Sequence, residues 1–279
     1  MQRMSAARRV SQVFLWAFLL VPMMIFILGD GRSKLYLIGG SANGIAMLIA
    51  AWVLGARAIR GAKAETRWAG IAGLLFIASM VMVSMFAGLG PPPDDGPEWL
   101  ATARDQTLRY TLLLFSGLSV AAGFRSLKEC LREAGEHFYS GLGFSAIIVS
   151  VTLYVIYITG FTTFAVGAMR QEVALGQRPD WVMPVSNHIT VIGLVEVSLT
   201  YLATAAFAAA MRSVEWLGTT ASRVFVAISL LAAPLVALSP FYGTTFGLPI
   251  FPLAIPAVPF IMPYLIGISL LKRVGDQTQ

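Results

Sequence analysis

The stretch HITVIGLVEVSLTYLATAAFAAAM, residues 188–211, decides the fold. As a helix it is long enough to cross a bilayer core, which takes about 20 apolar residues. It carries one acidic residue, Glu196, well inside the run. Seven further apolar runs can be placed outward from it, so the chain has eight, at roughly 10–28, 35–56, 68–89, 108–124, 142–168, 188–211, 222–240 and 251–271. The segments between them are short, and none is large enough to fold alone in water. The sequence therefore predicts an all-α polytopic bundle of about eight transmembrane helices, with residues 1–279 as a single transmembrane domain.

Composition agrees with that reading. Of the 279 residues, 57% are hydrophobic and 12% charged, outside the range of soluble globular domains. The first run, VFLWAFLLVPMMIFIL after MQRMSAARRVSQ, has the basic flank of a secretory signal. It is longer than a signal's apolar region and no small-x-small cleavage site follows closely, so it reads as a retained span.

Orientation follows from the cations. With eight spans both termini share a side, and 14 of the 20 lysines and arginines fall there. These are Arg3, Arg8 and Arg9; Arg57, Arg60, Lys63 and Arg67; Arg125, Lys128 and Arg132; Arg212 and Arg223; and Lys272 with Arg273. The other side holds Arg32, Lys34, Arg104, Arg109, Arg170 and Arg178. The asymmetry places both termini in the cytoplasm of a plasma or bacterial inner membrane. It also accounts for the net charge of +6 without a clustered basic face, so no nucleic-acid partner is expected.

Two connections read structurally. In GPPPDDGPEWLATARDQTLRY, residues 90–110, the prolines end the third span, Asp95 or Gly96 can cap a helix, and Pro97 suits its first turn. In FRSLKECLREAGEHFYSG, residues 124–141, Phe124, Leu127, Leu131, Ala134 and Phe138 recur at helical spacing opposite charges. That pattern predicts an amphipathic connector on the lipid headgroups or against the bundle.

Glu196 is the strongest functional signal. A carboxyl in hydrocarbon is costly, so it faces the bundle interior and marks a site or an interhelical hydrogen bond. Gly193, Glu196, Thr200, Ala203 and Thr204 share a face, closed by Phe207. Asn43, beside the Gly40–Gly44 GxxxG pair of the second span, is a candidate partner for Glu196. In the fifth span Ser150, Tyr154 and Tyr157 share a face and can bond within the bundle or line a cavity.

LPIFPLAIPAVPFIMPY, residues 248–264, holds five prolines. A helix starting only after Pro263 would be too short to span, so Pro259 and Pro263 belong inside a proline-kinked last helix. Interior prolines free the carbonyls of Pro252, Ile255 and Pro259. Such carbonyls must turn inward, to be satisfied by neighbouring hydroxyls or to bind a cation or polar solute.

No catalytic constellation survives geometry. Ser145 in GFSA and His188 fall at opposite ends of their spans, beyond the hydrogen-bond reach a nucleophile and base require. His137 and His188 lie on opposite sides, so one chain does not hold a haem between them. Cys130 is alone, which excludes an intramolecular disulfide and a cysteine metal cage. No metal is indicated, and the identity of any cofactor is left open. The leading expectation is a transporter or permease of a small solute or ion with Glu196 protonatable, lined by Glu196, Thr200, Asn43, Tyr154, Tyr157 and the carbonyls of Pro252, Ile255 and Pro259. The alternative is a noncatalytic structural subunit of a membrane complex that binds cofactor, pigment or lipid. A ligand sensor comes third, as no segment reads as an output domain. The lipid bilayer is the expected partner, with a homo-oligomer or a larger complex open.

Overall fold

The computed structural model describes residues 5–18, 34–87, 89, 96–242, 251–255 and 257–277. Among these all regular structure is helical: α1 (Ala6–Ala17), α2 (Lys34–Leu54), α3 (Ala64–Ala87), α4 (Gly96–Ala101), α5 (Ala103–Glu133), α6 (Phe138–Leu175), α7 (Val182–Ser213), α8 (Thr219–Tyr242), α9 (Phe251–Ala254) and α10 (Ile261–Gln277). Two 3₁₀ turns, Ala56–Gly61 and Val258–Phe260, join α2 to α3 and lead into α10. Six helical segments are long and apolar enough to cross a membrane: 64–86, 103–133, 138–175, 182–213, 219–241 and 258–277. The protein is thus a multi-pass membrane protein built as an all-α bundle. The expected second span coincides with α2, whose apolar part is Ile38–Leu54. The expected first span is described only over residues 10–18, its remainder lying outside the described residues.

Helix ends follow local chemistry. Ser5 caps α1, its hydroxyl accepting the Arg8 amide. Glu136 caps α6, its carboxylate accepting the amides of Tyr139 (2.6 Å) and Ser140 (3.0 Å). Gly176, at φ +69, closes α6 as a left-handed cap. Gly135, at φ +88, performs the turn after α5.

That turn decides between the two placements expected for residues 124–141. They lie against the bundle and are continuous with the preceding span, because α5 continues to Glu133 and only residues 134–137 turn. Phe124, Leu127 and Leu131 carry the buried face of α5 onward and are fully inaccessible. Phe124 stacks on Phe207 (4.7 Å between centroids) and meets Phe76 edge-on (5.0 Å), tying α5 to α7 and α3. Phe138, expected beneath, is exposed at the start of α6. Near residue 96 the expectation fits: α4 begins at Gly96 with Pro97 in its first turn, and Thr102 marks a break before α5.

Consecutive helices pack as neighbours from α1 through α3, then α5 to α8, while α10 returns against α3 and also meets α1 and α2. The α3–α10 seam is a close glycine contact. A Cβ at Gly73 would lie 2.9 Å from the Gly267 carbonyl, and one at Gly267 would lie 2.9 Å from the Phe76 Cβ. Tyr264 donates to the Leu15 carbonyl (2.7 Å), joining α10 to α1.

Both described chain ends lie at one end of the bundle. Arg8 pairs with Asp276 (2.9 Å), and Thr66 bonds Gln277 (2.9 Å). Cys130, near the end of α5, donates to the Glu65 carbonyl (3.1 Å) at the start of α3. The cations that the sequence assigned to the terminal side on α1, α3 and α5 are therefore at the same end. Arg8 is no solvated anchor, however. Its side chain is 1% exposed, with Nε donating to the Leu54 carbonyl and Nη2 to the Lys272 carbonyl, both at 2.9 Å. The guanidinium there caps the Leu54 carbonyl, which the C-terminal end of α2 leaves open, and adds a second hydrogen bond to the Lys272 carbonyl of the α10 ladder.

Candidate functional site

Glu196 sits near the middle of α7, about 21 Å along the axis from Val182 at 1.5 Å per residue. The helix begins six residues before the predicted span, with Trp181 as cap and Pro184 in the first turn. His188 is exposed on that first stretch.

The Glu196 side chain is 1% exposed. Its Oε1 accepts from the Thr200 hydroxyl one turn on (2.9 Å) and lies 3.4 Å from the Ser150 hydroxyl of α6. The two hydroxyls are 2.6 Å apart, and Ser150 also reaches the Glu196 backbone carbonyl at 3.1 Å. Each hydroxyl has one proton to give, while Oε1, the Glu196 carbonyl and the other hydroxyl all accept. Two protons thus serve more acceptors than they can fill. The second carboxyl oxygen, Oε2, is buried and has no hydrogen-bond partner among the described residues.

The surroundings are shaped for this cluster. Gly193 leaves the space that Tyr157 fills, since a Cβ there would lie 2.8 Å from the ring. Tyr154 is buried and donates to the Leu113 carbonyl of α5 (2.5 Å), lying across Gly117. Thr204 donates to the Thr200 carbonyl (2.9 Å). Phe207 lies further along α7, fully buried against Gly143 of α6.

Asn43 is not part of this arrangement. Its amide donates to Ser84 of α3 (2.5 Å), and its Oδ1 is buried without a partner among the described residues. Polar groups pair with what packing brings near, and α2 packs on α3.

The proline-rich segment closes one of the three carbonyls expected to be free. Ile255 accepts the Val258 amide (2.9 Å), because the break replaces i→i−4 bonds with a 3₁₀ turn. Pro259 is buried within that turn and Pro263 in the first turn of α10. Pro252 lies in α9; Pro249 and Pro256 fall outside the described residues. The carbonyl that the helices do cap across the break belongs to Leu253, which accepts the Tyr201 hydroxyl of α7 at 3.3 Å. Tyr201 was missed from sequence, although it lies five residues beyond Glu196 on the same helix. A buried tyrosine hydroxyl facing a broken helix was the available signal.

Among the described residues no group of three or more His, Cys, Asp or Glu side chains converges to hold a metal ion. Comparison of the chain with protein-family models, curated proteins and solved structures finds no match.

Proposed function

We propose that the chain is a transporter or permease of a small solute or ion, in which Glu196 takes up and releases a proton during the cycle. The observation that carries this reading is the half-satisfied carboxyl. Oε1 is held by Thr200 and Ser150, whereas Oε2 is buried with no partner among the described residues. A group used only to join helices gains most when every polar atom is bonded, and an orphaned oxygen costs about 1–3 kcal/mol. Such a cost is retained where a group changes partners in function. A discontinuous helix on the same wall, tied to α7 through Tyr201 and Leu253, matches the way transporters place polar sites at mid-membrane. The basic terminal end supports an inner-membrane orientation with both termini cytoplasmic.

The test is flux through purified protein in liposomes loaded with a pH-sensitive dye, across panels of sugars, amino acids and alkali cations under an imposed potassium diffusion potential. A solute that moves in wild type should fail to move, or move without protons, in Glu196→Gln, whose amide keeps the acceptor for Thr200. Equal coupled flux in a folded Glu196→Gln protein would sink the proposal.

A second reading, a noncatalytic subunit of a membrane complex, rests on the outward apolar surface of α6 and α8, where Ile148, Val149, Ile156, Leu230 and Leu231 are all exposed. Under it Glu196→Gln impairs assembly with partners and leaves no flux to lose.

A further inference from the structure

At the basic end of the bundle a groove of about 460 Å³ opens between the start of α6, the end of α7 and the start of α8. Its rim carries Arg212, Arg223 and Tyr139, and its floor is Ala209, Val226 and Ala227. Among the described residues no carboxylate lines it. Arg125 and Arg132, also exposed at this end, are both paired with Glu129. Arg212 and Arg223 make no ion pair among the described residues.

The donors left to a ligand are few and charged. Ser213 and Ser222 also border the groove, but their hydroxyls already donate to the carbonyls of Ala210 (2.8 Å) and Ala208 (2.9 Å). Recognition falls to the two guanidiniums and the Tyr139 hydroxyl. Two guanidiniums with no carboxylate suit a phosphate with net negative charge, which each can bind in bidentate fashion. They disfavour a zwitterionic headgroup, whose cation would meet the same charges.

The rest of the surface says what else the ligand carries. The floor is apolar, and from Ala227 an exposed apolar track follows α8 through Leu231, Pro234 and Leu238, spaced 4, 3 and 4 residues and so on one face. Leu231 is 66% exposed. A free inorganic anion gains nothing from such a track; an acyl chain does. We propose that this groove binds the headgroup phosphate of an anionic glycerophospholipid, with an acyl chain along α8. Basic pockets between transmembrane helices at the cytoplasmic surface hold anionic headgroups in this way.

The probe is an equimolar mixture of phosphatidylglycerol and phosphatidylcholine added to delipidated full-length protein, with bound lipid counted by native mass spectrometry. Wild type should retain phosphatidylglycerol in preference. The Arg212→Gln/Arg223→Gln variant should lose roughly 30-fold of that preference, the equivalent of about 1 kcal/mol for each arginine. Both side chains are exposed, so the variant should fold, which an unchanged circular dichroism melt checks. Arg125→Gln/Arg132→Gln removes the same charge from the same end and should keep the preference. The proposal is overturned if the groove variant binds like wild type, or if the control loses as much, which would make the effect one of bulk charge. It is equally overturned if inorganic phosphate in large molar excess over the lipid displaces it, since the site would then be one for a soluble anion.

Discussion

Replacing Arg8 by alanine should be among the more costly single changes at the terminal end of the bundle. Its guanidinium gives one hydrogen bond to the Leu54 carbonyl and one to the Lys272 carbonyl, each at 2.9 Å, from a side chain that is 1% exposed. Hydrogen bonds involving a charged group are worth about 1.5–3 kcal/mol each, so the two together are worth about 3–6 kcal/mol. The ion pair with Asp276 adds little, because that carboxylate is 51% exposed and pairs of this kind contribute about 0–1 kcal/mol. The assay is unfolding of the purified protein in mixed micelles by titrated dodecyl sulfate, read by circular dichroism. Arg8→Ala should raise the unfolding equilibrium constant by roughly a hundredfold to ten-thousandfold, at about 1.4 kcal/mol per factor of ten. Asp276→Asn should shift it by less than about tenfold. Arg8→Lys, a single point charge without the fork, can reach one carbonyl and should fall between them. If Asp276→Asn proves as damaging as Arg8→Ala, the stabilisation resides in the ion pair and the carbonyl-capping argument is wrong; if Arg8→Ala matches wild type, the guanidinium does not join the helices at all.

Two further outcomes test the packing around the site. Alanine at Gly73 or Gly267 must push α3 and α10 apart, since either Cβ would meet an atom at 2.9 Å, and should cost about 1–3 kcal/mol in the same titration. Gly39→Ala, with no atom within 4 Å of its Cβ, should be silent, and equal costs at all three positions would contradict the seam. Tyr201→Phe removes the hydroxyl that holds the Leu253 carbonyl and should cost about 0.6–1.7 kcal/mol. Its amide exchange should quicken across residues 251–258 and not in α3 or α5; unchanged exchange in that segment would show that the break is held by something else.

The membrane class and the pairing of chain ends were legible because they depend on sums over many residues. Hydropathy over 20 positions and the side bias of 20 cations tolerate local error, and the contacts Arg8–Asp276 and Thr66–Gln277 put the ends together as an even number of crossings requires. The extent of α5 was not legible in the same way. Residues 124–133 alternate apolar and charged positions as a surface helix does, and only the stacking of Phe124 on Phe207 shows that their apolar side meets protein. Arg8 failed for a related reason. A cation near a span end reads as an interfacial anchor until one knows that two helix C-termini converge on it, and that convergence links residues 264 apart in sequence.

Glu196 itself was visible because an acid inside an apolar run has few explanations, yet its partner was misassigned to Asn43. Hydroxyl and amide side chains are scattered through every span, so chemistry alone could not choose among them. Chain connectivity offered a better guide. Helices joined by short loops tend to pack as neighbours, and α6 and α7 are separated only by residues 176–181, which favours Ser150 over a residue four spans earlier. That choice of partner bears on mechanism. Thr200 rides on α7 with Glu196, whereas Ser150 belongs to α6, so the cluster spans a seam between two helices. Tyr157 packed on Gly193 closes the same seam about one turn away. On the proposed transport reading, separating α6 from α7 removes Ser150 and Tyr157 together and opens both carboxyl oxygens to water, so proton exchange at Glu196 and opening of the seam are a single event. A disulfide joining cysteines introduced across that seam should then block flux when oxidised and release it when reduced, and flux that persists through the oxidised state would separate the two events.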